Sequence, residues 1–346
     1  MDTKLISKEN TLKLINALTK EVKVLAPQKD EFGDIFFKEV KDSKNVILAP
    51  FKPLMPTVRE LLFGQIKEMI RYKKESAEIK LEEMKNAEDT IFWGLPTCDI
   101  NGLLYTDMFF MGREFCDSYY KEVREKIVLI SVVCDTPPNK SCFCGSMADG
   151  PHLVEGFDLQ LTPMGDDYFV EVGSAKGKKI IESNKDLFSE VKDKSVVERI
   201  WEEAHKKVIV KGLDKNAAIE KMDLDPIKET LFVEVSDRCI SCGACNYVCP
   251  TCTCFNVIDV GSKEEGVRER VLDSCVFSGY FRMAGGHNPK EKQELRTKQR
   301  YYCKLLWDKE KYNDSGCVGC GRCLDSCPVD IDIKEVMPTI AAGGDK

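Results

Sequence analysis

Two stretches of the chain space their cysteines identically, Cys239-x2-Cys242-x2-Cys245-x3-Cys249-Pro250 and Cys317-x2-Cys320-x2-Cys323-x3-Cys327-Pro328. Three thiolates on one tight loop can hold three irons of a cubane [4Fe-4S] cluster, while a fourth, displaced onto the following turn, points away from them. Where two such runs occur together, that fourth cysteine ligates the other cluster. The pattern therefore assigns Cys239, Cys242, Cys245 and Cys327 to one cluster, and Cys317, Cys320, Cys323 and Cys249 to a second. Gly243, Gly319 and Gly321 let backbone amides approach the inorganic sulfurs, where hydrogen bonds tune the potential. Zinc is the rival ligand. Its tetrahedral sites take two cysteine pairs per metal and give no reason for a third cysteine at x2 or a fourth before proline.

The remaining composition agrees with metal ligation. The chain of 346 residues carries 17 cysteines, and its start, MDTKLISKENTLKLIN, has no apolar signal-peptide core. A cytoplasmic, reducing location is expected, in which a disulfide framework would not persist. No apolar run is long enough to cross a bilayer. The net charge of -7 gives no electrostatic support for nucleic-acid binding, so protein partners are expected.

The length allows two or three domains. The expected division is an α/β domain over 1–190, a helical connector over 191–230 and a mainly helical dicluster, ferredoxin-type domain over 231–346. In the first part, a helix is expected over 8–19 with Ser7 as cap, then extended segments near 21–26 and 33–40. A strand is expected at Asn45–Pro50, followed by a helix through Val58, Leu61, Leu62, Ile66 and Ile70, then a charged stretch over 71–88. TIFWGL (90–95) and KIVLISVVC (126–134) read as buried strands separated by helices, which implies a mostly parallel sheet. GFDLQLTPMGDDYFVEVGS (156–174) reads as a β-hairpin. Residues 195–210 carry apolar residues at helical spacing and read as a connector. Between the cysteine runs, 267–282 and 291–307 read as helical.

Nine cysteines lie outside the two runs. Cys98 and Cys134 fall at the carboxyl ends of the expected strands, where open α/β sheets place ligands. With Cys142 and Cys144 they form a candidate third [4Fe-4S] site, set against the ordinary tendency of free cysteines to pack in cores. Cys252, Cys254, Cys275 and Cys303 either bind metal or line the apolar shell of the clusters, and Cys116 reads as structural. His205 reads as a boundary residue and His287 as part of a solvated turn. Arg296, Lys298 and Arg300 read as a solvated helix face, with an acidic partner dock as the functional rival. No glycine-rich dinucleotide fingerprint, phosphate-binding loop or catalytic acid–base pair is present. The expected role is electron relay, the alternative an iron-sulfur enzyme that itself reduces a sulfur substrate.

Residues from about 90 to 346 resemble the iron-sulfur beta subunit of soluble sulfhydrogenases, which is similar to one of the subunits of anaerobic sulfite reductases. The resemblance rests on Cys98-Asp99-Ile100, Cys142-Phe143-Cys144, Gly156-Phe157-Asp158-Leu159, Cys239 to Cys254, Met283 to His287, Arg300 to Lys304 and Cys317 to Cys323. It implies a role in passing electrons between two partners. One is an FAD-binding NAD(P)H-reductase subunit; the other is a catalytic module, either nickel-iron hydrogenase or sirohaem sulfite reductase. The hairpin and the Arg300 to Lys304 segment look more like the hydrogenase branch.

Overall fold

The computed structural model describes residues 2–76, 78–85, 87–148, 150–224 and 227–344. The strands are, in chain order, β1 (Asp2–Ser7), β2 (Lys23–Lys29), β3 (Ile35–Glu39), β4 (Ile66–Glu75), β5 (Glu78–Glu83), β6 (Thr90–Pro96), β7 (Ile127–Val132), β8 (Leu159–Met164), β9 (Asp167–Val172), β10 (Ser189–Glu190), β11 (Phe255–Gly261) and β12 (Glu265–Leu272). They fall into two sheets, each in its own compact unit. One unit comprises Met1–Pro53, Ala87–Leu104 and Glu122–Ile209; the other comprises Leu54–Asn86, Tyr105–Lys121 and Val210–Lys346.

The first unit is built on the sheet β10-β1-β9-β8-β7-β6-β2-β3. Its central strands β2, β6, β7 and β8 pair in parallel, whereas β3, β9, β1 and β10 add antiparallel edges. The sheet is thus mixed, not mostly parallel. The hairpin contributes only β8 and β9, and the N-terminal strand β1 then pairs with β9, a long-range choice no local pattern announces. Every residue of β6 is buried, as expected of a central parallel strand covered on both faces. Leu14, Ile15 and Leu18 of the Lys8–Leu18 helix pack in the core with Val24, Ile91, Trp93 and Ile130, each such side chain worth about 1.5–3 kcal/mol relative to exposure. The Ser7 hydroxyl caps that helix by accepting from the Asn10 amide at 3.2 Å. Asn45–Pro50 is not a strand. A 3-10 turn over Ser43–Asn45 leads to one bridge, Gln28↔Val46, because β3 already occupies that side of β2 and the prolines at 50, 53 and 56 remove ladder donors.

The second unit contains the antiparallel sheet β11-β12-β4-β5, which replaces two expected helices. The Thr57–Leu62 helix ends before Gly64, and Ile66–Glu75 is strand β4, so the charged stretch after it forms a hairpin with β5. Likewise 267–282 is not helical: it holds the end of β12, a loop and a 3-10 turn at Ser278–Phe281. Val267 to Val271 alternates apolar and charged residues, a period of two that suits the strand. The segment 291–307 is helical, as Gln293–Tyr302 followed by a π-helical turn at Cys303–Trp307.

Arg270 on β12 is buried at 2% exposure, with its guanidinium 5.0 Å from the Phe63 ring and 5.2 Å from the Phe110 ring. Its Nη1 donates to Asp117 at 2.6 Å. Burial outweighs this carboxylate and lowers the pKa of the guanidinium. Removing one partner of a buried pair strands the other charge at a cost of about 3 kcal/mol. Asp117→Ala should lower the opening energy of β12 by about that amount in hydrogen exchange; unchanged protection of the β12 amides would contradict this account. Among the described residues no helix is long and apolar enough to cross a membrane.

Candidate metal centres

The two cysteine runs adopt the same backbone twice. Ser241 and Gly243 have positive φ at 55° and 77°, and the matching Gly319 and Gly321 have 66° and 73°. Short helical turns follow at Ala244–Tyr247 and Arg322–Asp325. The paired left-handed residues wind each loop tightly, which favours glycine at three of the four positions. The loop is also crowded: a Cβ on Gly243 would lie 2.6 Å from the Phe277 ring. The Ser241 amide donates to Cys239 Sγ at 3.4 Å, and the Gly319 amide donates to the equivalent Cys317. The Ile331 amide donates to Cys327 Sγ at 3.3 Å. Such N–H···S bonds favour thiolate ligands and set cluster potentials.

Cys239, Cys242, Cys245 and Cys327 line one cavity, joined there by Cys323. Cys249 instead has Cys317 and Cys323 among its electrostatic neighbours, and Cys245 is near it as well. Burial, first among the causes, pushes the Cys245 and Cys323 thiols up and Cys317 up to about 12. These sites are made for thiolates with a positive charge at their centre, since binding iron supplies what burial withholds. The donor set and the wound loops fit a cubane. Among the described residues no three Cys, His, Asp or Glu side chains close around a single metal ion.

Two cations stand against these thiols, and sequence reasoning placed neither correctly. Arg300, expected on a solvated helix face, donates Nη1 to Asn246 Oδ1 at 2.6 Å and has Cys245, Cys323, Cys252 and Cys249 as charge neighbours. Burial disfavours its charge, but these cysteines more than compensate and its pKa is raised. Lys304 is 5% exposed and donates to Thr251 Oγ1 at 2.7 Å, while Thr251 lies 3.2 Å from Cys249 Sγ. Burial opposes its charge too, yet Cys249, Cys252 and Asp308 raise its pKa. The signal was the four-residue spacing, which puts both cations on one helix face. Arg296 is also buried, donating Nε to the Val276 carbonyl at 2.9 Å.

In the first unit, Pro96 of β6 is in register with Val132 of β7. Cys98 and Cys134 each follow two residues later, at the same end of adjacent parallel strands. Cys142 and Cys144 are electrostatic neighbours of Cys134, whose thiol is pushed up by burial first and then by these cysteines. Lys52 Nζ donates to Cys142 Sγ at 3.5 Å, a buried cation that nothing in the sequence linked to these thiols. Cys116, expected to be structural, is exposed.

Residues 238–331 match the 4Fe-4S dicluster domain. The chain is 32% identical to sulfhydrogenase 2 subunit beta of Pyrococcus furiosus over 255 residues, which span 73% of this chain and 74% of the relative. The chain belongs to the sulfhydrogenase beta-subunit family. Membership in this family agrees with the resemblance carried by the cysteine runs, and the dicluster match makes the chain a [4Fe-4S] protein. The dicluster region combines helical turns with β11 and β12, so it is helical only in part.

Proposed function

We propose that the chain is the electron-transfer subunit of a cytoplasmic redox complex. It relays electrons through [4Fe-4S] clusters between a flavin- and NAD(P)H-binding partner and a catalytic hydrogenase or sulfite reductase module. The observation that carries this reading is the meeting of the two cysteine runs around Arg300, whose neighbours come from both. Cys239, Cys242, Cys245 and Cys327 hold one cluster, and Cys317, Cys320, Cys323 and Cys249 hold the other. Each cluster accepts and returns one electron at a time. The protein excludes water from the thiolates, donates amides to them and balances their charge with Arg300 and Lys304. Support for partner subunits comes from the relative, which its name makes one subunit of a sulfhydrogenase.

A third cluster is proposed on Cys98, Cys134, Cys142 and Cys144 at the strand ends of the first unit. Cys134→Ser with Cys144→Ser should remove about four iron and four sulfide per chain, leaving the electron paramagnetic resonance (EPR) signals of the dicluster region intact. Unchanged iron in that variant would remove the third cluster from the proposal.

The relay is tested with the purified, chemically reduced chain. It should pass electrons rapidly to a one-electron dye while turning over neither polysulfide nor sulfite by itself. Sustained turnover of either sulfur substrate by the isolated chain would favour the alternative, an iron-sulfur enzyme with its own substrate site.

A further inference from the structure

Four cysteines that belong to neither run, Cys252, Cys254, Cys275 and Cys303, line a single cavity of about 380 Å³ in the second unit. They come from three separate parts of the chain, so their meeting is a product of the fold. The Cys254 and Cys275 thiols are hydrogen-bonded to each other, and the Tyr280 hydroxyl donates to Cys254. Cys303 has Cys254 among its charge neighbours. Asn246 Nδ2 donates to Cys275 Sγ at 3.1 Å, an N–H···S bond of the kind that supports a thiolate ligand.

Packing alone does not account for this arrangement. Buried cysteines behave as small hydrophobes when they fill a core, but these line open volume together with the cations Arg300 and Lys304. The cavity is also far larger than one metal ion needs, and the described residues do not close around a single ion. The backbone is adapted here as well. The helix carrying Arg300 loosens into a π-helical turn at Cys303–Trp307, a rare distortion frequent at functional sites, which begins at the cysteine and the lysine that line the cavity.

We infer that Cys252, Cys254, Cys275 and Cys303 ligate an additional iron-sulfur cluster of the cubane type, beyond those proposed above. Cys252 is hydrogen-bonded to Cys249, so this cluster adjoins the one held by Cys249, Cys317, Cys320 and Cys323. Four thiolates on a cubane carry net negative charge, and Arg300 and Lys304 offset it for both neighbours. The new cluster extends the relay toward the Cys303 side of the second unit.

The test compares the full-length chain with a Cys275→Ser, Cys303→Ser variant, each reconstituted anaerobically with iron and sulfide. The variant should hold about four iron and four sulfide fewer per chain while keeping the EPR signals of the two ferredoxin-type clusters. Cys116→Ser, at an exposed cysteine, should lose none. Should the double variant fail to fold, Cys303→His keeps a ligand at the position, and it should retain the iron but shift the potential of one cluster alone. The inference is overturned if the double variant binds as much iron as the parent, if Cys303→His leaves every potential unchanged, if one zinc is lost in place of four iron, or if the anaerobic parent holds a Cys254–Cys275 disulfide. A parent chain without any iron would instead sink the relay reading itself, so the two failures are distinguishable.

Discussion

Cys249→Ser is expected to damage the cluster held by Cys317, Cys320 and Cys323 and to spare the one held by its own run. In the folded chain Cys249 is turned toward the second run, with Cys317 and Cys323 among its neighbours, whereas the cavity of the first run draws its fourth thiol from Cys327. Losing one thiolate should cost about four iron per chain, or leave a labile cluster that sheds iron on exposure to a chelator. Reduced-state EPR of the variant, set beside Cys327→Ser, gives the answer. The two variants should abolish different signals, Cys249→Ser that of the Cys317 cluster and Cys327→Ser that of the Cys239 cluster. Loss of the Cys239 signal in Cys249→Ser would overturn the crossed assignment.

Neutralising the buried cations should move the potentials with the clusters still in place. A unit charge some 7 Å from a redox centre, in surroundings of effective dielectric near 20, is worth about 2–3 kcal/mol, which for a one-electron couple is on the order of 100 mV. Arg300 neighbours cysteines of both ferredoxin-type runs, so Arg300→Met should make both clusters harder to reduce. Lys304 is paired through Thr251 with Cys249, so Lys304→Met should act mainly on the cluster of the second run. Redox titration followed by EPR measures each shift. Unchanged potentials in Arg300→Met, with full iron content, would show that the guanidinium is structural only.

The parts of the molecule legible in the sequence are those whose cause is local. The repeated cysteine spacing, the continuous apolar strands β6 and β7 and the hairpin of β8 and β9 each carry their signal within a dozen residues. The four-stranded sheet was not legible, because β12 pairs with β4, a strand far away in the chain. Ile66 and Ile70, four apart, fit a helix face as well as a strand until that pairing decides between them. The same distance hid the cations. Arg300 and Lys304 look like part of a solvated basic face, and only the fold brings Cys245, Cys249 and Cys323 against them. Lys52 reaches Cys142 in the same way.

The central claim is that two cubanes are caged by thiolates exchanged between distant segments of one polypeptide. Iron and acid-labile sulfide measured on the anaerobically prepared full-length chain test it most directly. The account predicts at least about eight of each per chain, with the broad visible absorption of iron-sulfur centres bleaching on reduction. Colourless protein holding zinc and no sulfide would contradict it.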